Sequence, residues 1–512
     1  MGLRIIYGRA GSGKSEYCYK EIAKDIEKNE KIFLITPEQF SFTAEKKLME
    51  AVKTEAVLQA EVVHLSRLAK RVIKEIGIKD DRMSKCGKAM LISHILTMQK
   101  KDLKYLSKSE ENINLAISSI TELKKHGVTV EMLKEQIDKT ENIYLKTKLQ
   151  DISVIYKQYD EQIKQSYIDE ADELAILAEN IENIKWLKNS VIYIDEFAGF
   201  TYSEYQVIKG LIKYAKQVNI TITVDNLEQT LNPDTDIFYA NKITVKKLQD
   251  IVSQNELKLE KPIKMLEVKR FKTPELKYIE GNLFKTQSTK YEQKVENLSM
   301  FLAKNQYTEI EYIAKEITKL VKEKKKRYND IAIITKNIQS YSNLARVIFE
   351  KYDIPIFIDE KRELSQNIII QYVLSIFEIL QKNYSKESVF QYAKMGFLEI
   401  EQSDIFKLEN YCTKWGIKQN KFKKDFVYEF EKNKQEIEYY NELRKKIIEP
   451  IENLKQKIRK GKTAKGITVA IYDFLEKQKI EEKIFLKMQE LKEKNREDLV
   501  QEYKESYEIL IN

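Results

Sequence analysis

At 512 residues the chain is too long for one ordinary core, and two to four domains are expected. It is 42% hydrophobic and 33% charged with only 14 glycines and 6 prolines, the composition of a folded, helix-rich protein with long charged surfaces. Basic residues (89) exceed acidic ones (80) by a net +9, a balance that permits nucleic-acid binding and equally describes a lysine-rich solvated surface. No apolar run of about 18 residues occurs, so a membrane-spanning helix is excluded. Because the chain opens on a core strand, no signal peptide is expected. Cys18, Cys86 and Cys412 lie far apart without a C-x-x-C pair, which suits a reducing cytoplasm and makes no metal site by itself.

Leu3–Tyr7 is a short apolar run suited to a buried parallel strand, and Glu16–Glu27 reads as a helix with Tyr17, Ile22 and Ile26 on its apolar side. Between them Gly8, Arg9, Ala10, Gly11, Ser12, Gly13, Lys14 and Ser15 fit G-x-x-x-x-G-K-[ST], the phosphate-cradling P-loop, in the right strand-to-helix setting. The glycines let several N–H groups and a helix N-terminus point at one anion. Lys14 is then expected to reach the β- and γ-phosphates of ATP, and the Ser15 hydroxyl to help hold Mg²⁺.

Lys31–Thr36 is a second strand and Glu61–Leu65 a third, with a helix over Glu38–Val52 between them; Ser66 is placed to cap the helix that follows the third strand. From Leu68 to Asn183 the pattern is helical almost throughout, so this stretch reads as an insertion into an α/β domain. Ser190–Glu196 (SVIYIDE) is the next strand, ending in Asp195-Glu196 like a Walker B strand, with Asp195 expected beside the P-loop. There Asp195 orients Mg²⁺ and its waters while Glu196 positions or deprotonates the attacking water. A helix over Ser203–Ala215 and a strand over Val218–Asp225 complete this block, and a helix over Ile237–Val252 follows. Lys261–Arg270 reads as a strand and Phe271–Glu296 as an irregular connection. A second α/β unit has strands expected at Leu298–Leu302, Asp330–Thr335 and Ile354–Ile358, with helices at Thr308–Lys322 and Ser340–Tyr352. From Asn367 onward the chain is again nearly all helical. The expected architecture is therefore α/β. A P-loop domain (1–67 and 185–275) carries a helical insertion (68–184), and an incomplete second RecA-like domain (276–368) carries another (369–512).

This order is that of superfamily 1 helicases, with subdomains 1A, 1B, 2A and 2B. More specifically the chain resembles the N-terminal part of the B subunits of AddAB/RexAB-type ATP-dependent helicase–nucleases. The likeness is carried by IIYGRAGSGKS, ITPEQFSFTAEKKL, VVHLSRLAKRV, GKAMLISHIL, IDEFAGFTYSEYQVI, NDIAIITKN and DIPIFIDEKRELSQN, which fall in order across residues 1–370. It implies a bacterial cytoplasmic protein that processes double-strand DNA ends for recombinational repair, with the helicase A subunit of the pair as its partner. Carried over, Gly8–Ser15 corresponds to motif I, Asp195-Glu196 to motif II, and Thr36–Phe42 to motif Ia, which lies along single-stranded DNA. Thr36, Phe40 and Phe42 are then candidate DNA contacts, the two rings offering stacking faces, although two core aromatics at a helix start fit the residues as well. The family's iron–sulfur cluster and nuclease centre belong to a C-terminal domain, and neither four cluster cysteines nor a carboxylate–lysine centre is found in this chain.

Several departures set ATP binding apart from DNA unwinding. Only seven residues precede Gly8, leaving no room for an adenine-reading Gln motif. In the third motif Asp225 is followed by Glu228, with Gln229 one place late, and in the fourth Lys336 stands where an arginine usually meets the γ-phosphate. An autonomous superfamily 1 helicase, a P-loop kinase, and a non-hydrolysing DNA-binding scaffold with a relic P-loop are the other readings. The wide separation of Ser15 and Asp195 argues against a compact kinase.

Overall fold

The computed structural model describes residues 2–28, 30–52, 59–78, 81–106, 112–163, 167–228, 233–285, 289–360, 367–428, 433–461, 463–494 and 496–511. The chain divides into two units, Met1–Phe301 and Leu302–Asn512.

The first unit is built on a parallel sheet of β1 (Gly2–Gly8), β2 (Lys31–Ile35), β3 (Ala60–Val63), β4 (Ser190–Ile194), β5 (Gln217–Thr223), β6 (Lys258–Leu259) and β7 (Ile263–Met265). Its order is β3-β2-β4-β5-β1-β6, with β7 also on β1. Runs such as SVIYI are buried at every position because a parallel sheet is covered on both faces. The helices of this unit are α1 (Lys14–Glu27), α2 (Ser41–Val52), α3 (Leu65–Glu75), α4 (Lys85–Met98), α5 (Asn112–Lys125), α6 (Val130–Lys139), α7 (Ile143–Ile163), α8 (Glu173–Asn180), α9 (Tyr202–Tyr214), α10 (Tyr239–Gln254) and α11 (Pro274–Asn282). On one face Ile6, Ile32, Leu34 and Tyr193 pack with Cys18, Ile22, Ala44 and Leu48 of α1 and α2. On the other, Leu3, Ile5, Phe33 and Ile35 pack with Leu68 and Val72 of α3, Leu177 of α8, Leu211 of α9 and Leu248 of α10.

Asp195 follows β4, and β5 lies between β4 and β1. Three expectations change. His64, not Ser66, caps α3, its Nδ1 accepting from the Arg67 N–H at 3.2 Å. Of the strand expected over Lys261–Arg270 only β7 forms, and β6 lies ahead of that range, both on β1. Pro262, which has no N–H to give a ladder, lies between them, and residues 266–270 leave the sheet. The connection expected to be irregular contains α11, which opens with proline at its first position.

Thr201 and Glu204 form a capping box on α9, with the Thr201 hydroxyl accepting from Glu204 N–H and the Glu204 carboxylate accepting from Thr201 N–H at 2.7 Å. Thr201→Ala is expected to cost about 1 kcal/mol in thermal or urea unfolding.

Helices α4–α7 have a core of their own, centred on Ile92, Ile95, Ile120, Leu133, Ile155 and Tyr159. Its neck is a bridge in which Met83 N–H donates to Ile168 C=O at 3.0 Å and Ile168 N–H to Asp81 C=O at 2.9 Å. Because α3 and α8 pack on the sheet, the self-contained part is narrower than the expected 68–184. Inside it Lys124, only 3% exposed, sits 2.6 Å from Asp172, 3.0 Å from Asp160 and 3.6 Å from Asp169. Lys88 also reaches Asp169, at 3.1 Å, and the Tyr159 hydroxyl donates to it at 2.9 Å.

In the second unit α12 (Gln306–Lys324) and α13 (Ser342–Lys351) form a small core through Ile310, Ala314, Ile317, Ala345, Ile348 and Phe349. A larger helical core joins α14 (Ile368–Gln381), α15 (Lys386–Ala393), α16 (Gln402–Lys414), α17 (Lys434–Lys460), α18 (Ala464–Lys477) and α19 (Ile480–Glu493), against which α20 (Glu497–Ile511) packs through Tyr503, Tyr507 and Leu510. Among the described residues this unit has no strand. The stretches expected as strands at 298–302, 330–335 and 354–358 pair with nothing, since a β-prone run becomes a strand only beside a partner. No described helix is long and apolar enough to cross a membrane.

Candidate functional site

The site lies at the carboxyl edge of the sheet, where β1 ends at Gly8 and α1 begins at Lys14. Gly11 (φ 74°) and Gly13 (φ 85°) occupy the left-handed region that side chains avoid, and this turns the backbone tightly enough to start a helix at once. Gly13 is the N-cap of α1 and supplies no side-chain acceptor, so the first N–H groups of the helix are left to meet an anion. Ser12 is buried; Arg9, Gly11, Lys14 and Ser15 are partly exposed; Ala10 is exposed.

Lys14 folds back on its own loop, its Nζ donating to the Gly8 and Arg9 carbonyls at 3.0 Å each. Burial lowers its pKa from the ordinary lysine value, Asp195 opposes that effect, and Arg270 adds to it. Asp195 follows β4, its N–H donating to Ile35 C=O at 3.0 Å. One carboxylate oxygen accepts from the Thr221 hydroxyl of β5, so the intervening strand aims the acid across the gap to the loop. The other, Oδ2, is buried without a hydrogen-bond partner, as are Ser12 Oγ and Thr36 Oγ1. Three orphaned polar atoms along one sheet edge are costly unless a polar group or cation meets them. The donor set, a carboxylate and hydroxyls, suits a hard divalent cation and its waters. Glu196 has a left-handed backbone (φ 67°), and burial, then the Asp195 charge, pushes its carboxyl above the usual range.

The structure adds residues that no motif spacing had singled out. After β7 the chain crosses the loop, and the N–H groups of Lys269 and Arg270 donate to Gly11 C=O at 2.8 and 3.1 Å. Arg270 thereby bears on the site, through the charge it exerts on Lys14 and Glu196. Arg9 is held by Glu280 of α11 at 2.9 Å and lies over the Phe238 ring, 5.1 Å from its centroid. The only hint in the sequence was the pair of cations Lys269-Arg270 just past an apolar run, and such pairs are common in a chain this rich in lysine. A Cβ on Gly11 would fall 2.6 Å from Arg270 Cβ, so Gly11→Ala is expected to displace this crossing and strain the loop. A penalty of roughly 1–2 kcal/mol predicts about tenfold weaker binding of a fluorescent ATP analogue.

Other expected residues lie apart. Thr36 is 1% exposed, so its side chain offers no surface to DNA, whereas Phe42 is 79% exposed at the start of α2 and Phe40 is at the margin of the surface. Asp225 is engaged by Lys242 at 3.5 Å, and Gln229 lies outside the described residues. Lys336 is exposed in the second unit.

Residues 5–280, more than half of the chain, match the family described as ADDB, N-terminal. The chain belongs to this family. Its similarity to curated family relatives runs over the whole 512 residues. It is 36% identical to the B subunit of the ATP-dependent helicase/deoxyribonuclease of Caldanaerobacter subterraneus subsp. tengcongensis and 38% identical to that of Clostridium tetani, covering 46% and 47% of those proteins. The B subunit of Clostridium kluyveri is 36% identical, with 46% covered. The chain thus spans about half the length of the curated relatives it matches.

Proposed function

We propose that this chain is the ATP- and DNA-binding, helicase-like body of the B subunit of a helicase–nuclease, one that processes double-strand DNA ends for recombinational repair in the bacterial cytoplasm. The observation that carries the reading is the sheet edge at which a glycine-rich strand-to-helix loop, Lys14 and the orphaned Asp195 carboxylate oxygen come together. In this reading the first unit is a P-loop NTPase domain of superfamily 1 type, and its 1B-like insertion is the self-contained α4–α7 part within 68–184. Residues 276–368 and 369–512 are the 2A-like and 2B-like parts.

Gly8–Ser15 would cradle the triphosphate, Lys14 exchanging its two loop carbonyls for phosphate oxygens. Ser15 and Asp195 would hold Mg²⁺, which supplies charge neutralisation at the phosphates. Glu196, whose proton affinity is raised, suits the handling of the attacking water's proton. The exposed Phe42 is the better placed of the two rings to stack on a base. The helicase A subunit is the partner, and the cluster and nuclease chemistry belong to the part of the family's length outside this chain. Lys336 is retained as a candidate γ-phosphate contact.

The test is hydrolysis. Phosphate release should be slow for the chain alone, with or without single-stranded DNA, and should require the helicase partner. Strong DNA-stimulated turnover by the isolated chain would overturn partner dependence and favour an autonomous motor.

A further inference from the structure

The turn between α14 and α15 gathers more positive charge on one ring than the carboxylate beside it answers. Asn383 (φ 46°) and Tyr384 (φ 60°) both take the left-handed backbone, and the Tyr384 side chain is fully buried. Gln419 N–H ties the turn down by donating to Tyr384 C=O at 2.8 Å, and the Tyr384 hydroxyl donates to the Glu452 carboxylate of α17. Two ammonium groups stand at that ring, Lys423 with its Nζ 4.4 Å from the centroid and Lys455 at 5.3 Å. Lys423 pairs with Glu452 at 3.1 Å. Among the described residues no carboxylate lies within ion-pairing distance of Lys455, or of Arg459 one turn further along α17. Burial lowers the proton affinity of Lys455, and the charges of Lys423 and Arg459 lower it further against the pull of Glu452. Glu452 itself, opposed by burial, is held below the usual carboxylate range by the Tyr384 hydroxyl and Lys423, so its charge is already engaged.

We propose that Lys423, Lys455 and Arg459 form a phosphate-binding site on the Tyr384 turn, taking one phosphate group as a monoester or a phosphodiester. A ring face attracts a cation but cannot neutralise a pair of them, and one engaged carboxylate faces three cations here. Like charges gathered at one partly buried place are stabilised by an anion that meets them together. Cations also offset the dipole at a helix C-terminus, which accounts for Lys457, Arg459 and Lys460 in the last turn of α17. It does not account for Lys455, which lies before that turn, or for Lys423, which comes from a different element and converges on the same ring. Two ammonium groups and one planar guanidinium suit the several oxygens and the charge of a phosphate better than a single carboxylate. Exposed Lys418, Lys421 and Lys424 flank Lys423 and add to the local field that draws an anion in. The site belongs to the second unit and does not depend on the glycine-rich loop of the first.

The test titrates the whole chain with inorganic phosphate and, separately, with a short DNA duplex, both in the Lys14→Ala background so that the glycine-rich loop is silent. Lysine side-chain NMR reads the site directly: phosphate should shift the Lys423 and Lys455 signals and raise the titration midpoint of Lys455 towards the ordinary lysine value. Lys455→Ala with Arg459→Ala, both at side chains outside the core, should weaken phosphate roughly tenfold or more and leave the unfolding midpoint unchanged. Lys455→Arg, which keeps the charge, should bind nearly as the parent does. The two sources of phosphate separate in the duplex arm. Weaker duplex binding by the double variant, with a shallower salt dependence, assigns the site to the DNA backbone. Unchanged duplex binding beside lost phosphate binding assigns it to a free phosphate or a phosphorylated small molecule. Phosphate that moves neither lysine signal, with duplex affinity equal in the parent and the double variant, would overturn the proposal.

Discussion

Replacing Lys14 by alanine is expected to remove nucleotide binding and leave the fold intact. In the structure the Lys14 ammonium has no anion of its own and serves two carbonyls of the loop that carries it, at 3.0 Å each. Those bonds are weak holders, since the loop is already shaped by the backbones of Gly11 and Gly13 and tied at Gly11 C=O by two N–H groups. Partial burial lowers the proton affinity of Lys14 and leaves it short of compensating negative charge, a deficit that a triphosphate would make good. A charge-assisted contact to phosphate contributes about 3 kcal/mol, so Lys14→Ala should weaken a fluorescent ATP analogue roughly 100-fold in fluorescence titration. The melting temperature of the free chain should hardly change, because the alanine variant also relieves an undercompensated charge. Equal affinity in both proteins would remove the nucleotide reading and leave a DNA-binding scaffold.

The largest stability effect is expected far from that edge, at Lys124. Burial works against its charge, but Asp172, Asp160 and Asp169 outweigh it and hold the ammonium protonated beyond the usual lysine range. Asp169, also opposed by burial, is kept below the usual carboxylate range by Lys88 and Lys124. Lys124→Met would leave Asp169 to Lys88 and take the partner from Asp160 and Asp172, and breaking a buried ion pair from one side costs about 3–5 kcal/mol. For a unit of this size that is a fall of order 10 °C in thermal unfolding followed by circular dichroism at pH 7. Adding Asp172→Asn should recover part of it, because the second change removes an unpaired charge. The pH dependence follows from the two directions. The depressed Asp169 contributes stability that is present above about pH 4 and lost as pH falls through its folded value. The elevated Lys124 contributes stability that is complete below its unfolded value, about 10.5, and lost only as pH rises through its higher folded value. Wild type and variant should therefore differ most between about pH 5 and 9 and converge in acid.

Local features were legible in the sequence because their causes are local. Tight turning at Gly11 and Gly13, apolar runs at β1, β2 and β4, and helical periodicity from Asn112 to Lys125 all follow from neighbouring residues. Strand order was not legible, since nothing in the run VNITIT says that it will lie between β1 and β4 rather than outside them. The crossing by Lys269 and Arg270 was missed because two backbone N–H groups, which every non-proline residue has, make the contact. The apolar runs after Asp330 and Asp353 were expected as strands and form none, because propensity describes what a segment can pair with and does not supply the partner.

The position of β1 also sets a timetable. Leu3 pairs with Val218 and Gly8 with Thr223, about 200 residues later. At roughly 5–20 residues per second of synthesis, β1 waits about 10–40 s for its neighbour β5. During that interval helices α4–α7, whose contacts are local, can close their own core, while the glycine-rich loop has no sheet edge to stand on. The glycine-rich loop thus gains its sheet edge late in synthesis, although its own residues lie about 200 positions before Thr223.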